Sequence, residues 1–222
     1  MKRAAVWSLL FAVPLSGCGA GLFSTTDGYD RQGCVEEAMR KRPDPKLAEQ
    51  AATEFELACR SGEAAACSAL GVSRELGLGR TRDVSLARGL YLKACTEQNQ
   101  RGCVNLANLE IAEPRSALAV AHAHELLFSA CEAGEPSGCA AMAERLAKGE
   151  GVPKDLEKAG RMFAAGCDGG SARACFGLAE MRRVSGPKDQ AGLLELFVKA
   201  CVAGHQPACR RLSLPAKRFA SR

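Results

Sequence analysis

The chain has 222 residues, long enough for one or two domains with a sizeable core. Aromatic residues make up only 5% of it, so that core is built from small aliphatic side chains, and a net charge of +5 spread over both signs is too mild to point to nucleic acid. Twelve cysteines are too many for an ordinary protein of a reducing compartment and suit an exported one.

The first segment reads as an export signal. "MKR" is a positive start, and "AAVWSLLFAVPL" is an apolar run too short to span a bilayer. The run ends in "LSGC", Leu15 to Cys18, which resembles a bacterial lipobox. The resemblance implies that residues 1–17 are removed, that Cys18 is lipidated, and that acyl chains hold the mature protein to a membrane. Loss of Lys2 and Arg3 with the leader leaves a charge of +3. Gly19, rather than Asp, follows the lipidated position, which in lipoproteins of Gram-negative bacteria favours the outer membrane. Residues 18–33 then read as a flexible tether.

From Cys34 to Ser213 the chain is repetitive. "CRSGEAAAC", "CTEQNQRGC", "CEAGEPSGC", "CDGGSARAC" and "CVAGHQPAC" share one frame, and their first cysteines are separated by 36, 36, 36 and 34 residues. A fixed period of this size marks a solenoid of helix pairs. Other positions keep step. Three residues past each second cysteine stand Leu70, Leu106, Met142, Leu178 and Leu212, each followed by a small residue. Four residues before each first cysteine stand Phe55, Tyr91, Leu127, Phe163 and Phe197. Large apolar side chains and small ones thus recur where neighbouring helices must approach closely.

The elements follow in order. "GCVEEAMRKR" and "PKLAEQAATEFELAC" read as a shorter opening hairpin. In the second unit, Pro114 is expected to open the return helix directly. In the third, "GCAAMAERLAKG" has helical apolar spacing and ends in Gly149, a C-cap signal. "GEGVPKD" is then a loop with Pro153 near the next helix, and "DLEKAGRMFAAGC" is that helix. The fourth unit loses two residues from its loop. The tail, residues 214–222, is basic and reads as a solvated terminus.

"GEGVPKDLEKAGRMFAAGC" and "ACSALGVSRELGLGRTRDVSLARGLYLKAC" resemble Sel-like repeats, relatives of the tetratricopeptide repeat. With the paired cysteines, residues 31–213 are similar to the Hcp-type cysteine-rich proteins of bacteria. The sequence departs from the repeat at Arg74, Glu110, Leu146 and Arg182, where an aromatic is usual, and the glycine loop is degraded in units two and four. The resemblance implies an all-α, right-handed α/α superhelical solenoid of about five hairpins. It also implies a concave groove that binds a protein or peptide partner. On tetratricopeptide geometry the groove is lined by Glu75, Arg101, Asn108, Glu144, Arg173, Phe176, Glu180, Arg183 and Arg210. Penicillin binding and weak β-lactam hydrolysis, linked to Hcp-type relatives, form the alternative function.

The cysteine frame also has a geometric reading. Residues eight apart in an unbroken helix lie about 12 Å apart, whereas a disulfide needs Cα atoms within about 7 Å. The chain must therefore turn between them, and Gly62, Gly134, Gly170 and Gly204 each sit three residues after a first cysteine. Bridges are expected for Cys59–Cys67, Cys95–Cys103, Cys131–Cys139, Cys167–Cys175 and Cys201–Cys209, each joining the end of one hairpin to the start of the next. Zinc held by paired cysteines is the alternative, but no C-x2-C spacing occurs and only three histidines are present. Neither a metal nor a cofactor is expected. Cys34 is left over, with Thr26 in its partner's place: a buried relic, or a free thiol that crosslinks to a partner or a second copy.

Catalytic signals are thin. "SGPK", Ser185 to Lys188, fits S-x-x-K but has Gly and Pro between the two residues and no K-T-G or S-D-N beside it. His122 and His124 point about 200° apart on a helix and do not converge on one ion, even with Glu125 beside His122. His205, inside a cysteine loop, is expected to be solvated. The reading is a non-enzymatic, lipid-anchored envelope scaffold.

Overall fold

The computed structural model describes residues 44–186 and 190–213. Among them are ten helices and no strand. They are α1 (Pro45–Arg60), α2 (Ala64–Leu76), α3 (Val84–Thr96), α4 (Gln100–Ala112) and α5 (Ala117–Glu132). After these come α6 (Pro136–Lys148), α7 (Leu156–Asp168), α8 (Ala172–Val184), α9 (Gln190–Val202) and α10 (Gln206–Leu212). The calls on Cys18, Cys34, the leader, the tether, the first opening helix and the basic tail lie outside the described residues.

Local chemistry sets the helix ends. Asp83 and Asp155 cap α3 and α7, accepting from Leu86 N at 2.9 Å and Lys158 N at 2.8 Å. Gly77 and Gly149 end α2 and α6 with φ of 71° and 77°, the left-handed conformation a side chain resists. The second unit differs. Its loop is only residues 113–116, against 77–83 and 149–155 in its neighbours, and α5 gains a turn at its start. Pro114 therefore does not open α5: Ser116 is the cap, accepting from Ala119 N at 3.1 Å, and Pro114 stays in the loop.

Each helix packs on the next, and α2, α4, α6 and α8 also touch one another in a continuous row. The odd-numbered helices form a second row without comparable packing between its members. One side of the solenoid is therefore tight and the other is splayed, which gives an inner and an outer face. The core lies between the rows. Tyr91, Leu127, Phe163 and Phe197 are fully enclosed there, at the recurring large position. The small residues opposite make room: a Cβ added at Gly71 would lie 2.5 Å from the Tyr91 ring.

Five disulfides close the cysteine loops, with Cα atoms 4.4 to 4.7 Å apart. They link α1 to α2, α3 to α4, α5 to α6, α7 to α8 and α9 to α10. In the loop-entropy description each contributes about 2.5 kcal/mol. The turn inside each loop is left-handed at Gly62, Gly134, Gly170 and Gly204, and at Gln98 in the second loop, with φ 63°.

Candidate functional site

The inner row carries the expected groove residues, and the structure ties many of them to each other. Glu144 on α6 and Arg173 on α8 form a two-pronged ion pair across a repeat junction. Glu180 on α8 receives Arg183 at 2.9 Å and, from α10, Arg211 at 3.0 Å. Glu75 accepts the Tyr91 hydroxyl at 2.7 Å, which satisfies the polar end of a buried ring. Phe176 packs edge-on to Phe197 at 5.9 Å and against His205 at 4.5 Å. Asn108 and Arg101 are half-buried, and Arg210 is exposed. Deeper in the same row, Asn105 donates to Ser68 at 3.1 Å. These contacts hold consecutive repeats in register while leaving one edge of most groups to solvent. Towards the α8–α10 end these helices carry Arg182, Arg183, Arg210 and Arg211 against the carboxylate of Glu180, which Arg183 and Arg211 hold, so that end is basic.

Between the outer helices α3 and α5, over α4, lies an arrangement that the repeat pattern alone does not single out. Glu110 on α4 is almost enclosed, with 6% of its side chain exposed, and two guanidiniums grip it. Arg88 of α3 donates at 3.0 Å, and Arg115 of the short loop donates through two nitrogens, at 2.5 and 3.3 Å. Arg88 also donates to the Glu113 carbonyl at 3.1 Å. These residues rim a cavity of about 330 Å³ between α3 and α5, floored by Leu92, Leu106, Ala123 and Leu126. The departure at Glu110 was the available signal. What was missing was its partner, since Arg88 stands 22 residues away on another helix.

The histidines differ from one another. His122 is exposed beside the cavity, while His124, two residues on, is buried with no hydrogen-bond partner for Nε2. Burial, with Arg145 nearby, holds its pKa below the ordinary histidine value. His205 is not solvated: it is 8% exposed, because its ring closes against Phe176 at the start of α10. Ser185 ends α8 and donates to the Met181 carbonyl at 3.0 Å, and Lys188 lies outside the described residues. Among the described residues no three His, Cys, Asp or Glu side chains group to hold a metal.

The Sel1 repeat family model matches residues 64–99 and 136–171. These are the α2–α3 and α6–α7 hairpins with their cysteine loops, the two units that keep the long glycine loop. The fold resembles the crystal structure of a Sel1 repeat protein from Oxalobacter formigenes, with a TM-score of 0.66 and 22% identity over 79% of this chain and 71% of that one. It also resembles c5321, a protective antigen present in uropathogenic Escherichia coli strains displaying an SLR fold, with a TM-score of 0.54 and 22% identity. That match covers 74% of this chain but only 36% of c5321. No curated protein sequence matches the chain. Period, helix pairing and the two matched units agree: the chain carries Sel1 repeats at residues 64–99 and 136–171 and has the fold of a Sel1-like α-helical solenoid, with a disulfide at each junction between hairpins.

Proposed function

We propose that the protein is a non-enzymatic envelope scaffold, lipid-anchored through Cys18, that binds a protein or peptide partner along its inner face. The observation that carries this is the continuous row α2, α4, α6 and α8. Such a row presents one extended surface, the kind solenoids use to hold other chains. Its α8–α10 end is basic, so the partner brings an acidic stretch to that end. No helix among the described residues is long and apolar enough to cross a membrane, and the lipid on Cys18 supplies the anchor in this reading.

Site-specific photocrosslinking in intact cells tests the surface. A photoreactive residue at Asn108 or Arg210 is expected to capture one discrete partner, and one at Arg161 on the outer row is expected to capture little. Equal capture from both rows contradicts the reading. Fatty-acid labelling tests the anchor: Cys18→Ser is expected to abolish it, and label retained in that variant counts against lipidation there.

A further inference from the structure

We propose that the cavity between α3 and α5 binds a small aliphatic carboxylate. The first support is how the cavity arises. Gly79 and Gly151 stand 36 residues before and after Arg115. At both glycines the loop backbone presses onto the preceding odd-numbered helix. A Cβ at Gly79 would lie 2.1 Å from the Ala48 carbonyl oxygen, and one at Gly151 would lie 2.4 Å from the His124 ring. In the unit between them the loop is shorter and no glycine backbone fills this place. Arg115 stands there instead, with 64% of its side chain exposed. The groove that its neighbours close is open in this unit alone of the three.

The second support is charge. Arg88 and Arg115 share one carboxylate, Glu110, so the three carry one surplus positive charge. Arg82 and Glu113 nearby form their own pair at 3.2 Å and leave that surplus unchanged. Arg115 uses Nε and one terminal nitrogen on Glu110, and its planar fork has further N–H donors on the exposed side. A monocarboxylate would complete the charge balance and take those donors in the two-pronged geometry that guanidinium favours. The third support is the floor. Leu92, Leu106, Ala123 and Leu126 offer an apolar bed, and about 330 Å³ lies at the small end of ligand cavities. The occupant is therefore a medium-chain acid, with its alkyl chain on the leucines and its carboxylate at Arg115.

Gly89 gives a clean test. It lines the cavity, and a Cβ there meets nothing within 4 Å. Gly89→Leu thus fills the groove while improving the helix propensity of α3. Calorimetric titration of the oxidised full chain with octanoate is expected to show saturable binding to one site. Arg115→Gln should weaken it at least tenfold, and Gly89→Leu should abolish it while the thermal midpoint holds or rises. Octanol, which lacks the anion, should bind at least tenfold more weakly than octanoate. Failure of octanoate to bind overturns the proposal, as does binding indifferent to Gly89→Leu or to loss of the carboxylate. A peptide ending in leucine that binds where octanoate does not would reassign the cavity to a protein terminus and overturn it too.

Discussion

Gln98 occupies a backbone conformation that its four counterparts, Gly62, Gly134, Gly170 and Gly204, leave to glycine. A side chain at φ 63° costs roughly 1 kcal/mol, because Cβ crowds the following carbonyl. Gln98→Gly is therefore expected to raise stability by about 0.5–1 kcal/mol, read as a higher urea midpoint with an unchanged slope. His124 is the other residue whose chemistry can be read directly. Burial and Arg145 oppose its protonation, and Arg145 is itself held by Glu150 at 3.0 Å. A folded pKa below the ordinary 6.5 means the unfolded chain takes up the proton first. Stability is thus full above the ordinary histidine range and is lost as pH falls through the folded value. From about pH 7 to pH 5 the thermal midpoint should fall more in the native protein than in His124→Gln. An equal fall in both would show that His124 does not carry the dependence.

Between helices, polar groups matter through what is left when one is removed. Arg88→Met leaves a nearly enclosed carboxylate with the largely exposed Arg115 alone to balance it and is expected to destabilise by about 2–3 kcal/mol in chemical denaturation. Arg115→Gln removes a largely exposed partner and should cost under about 1 kcal/mol. Similar losses from both would mean that Arg88 is not the main support of Glu110. These contacts also mark how far the sequence could be read. Helices, turns and bridges were legible because a 36-residue period fixes the place of each large, small and sulfur-bearing side chain. The start of α5 was not. Pro114 is compatible with opening a helix, but Ser116 offers a cap, and which one prevails depends on where α5 packs. His205 looked solvated because its loop is polar, yet Phe176 arrives from α8 to cover it.

Taken along its length, the solenoid is uneven. One buried cluster runs from Val104 to Ala208 through the later repeats, while Cys59, Ala66, Cys67 and Ala94 form a small separate one near the start. Units of a solenoid are stabilised by their neighbours, so the ends open first. Hydrogen exchange is expected to be slowest in α6 to α8 and distinctly faster in α1 and α2. Uniform protection would show that the disulfides, rather than the core, set local opening. With so few aromatic side chains, covalent links between successive hairpins are central to the architecture. Mass spectrometry of peptides from the unreduced protein tests that directly. The expected result is five bridges, each between cysteines eight residues apart. Bridges between distant repeats, or reduced cysteines retaining a stoichiometric metal, would contradict it.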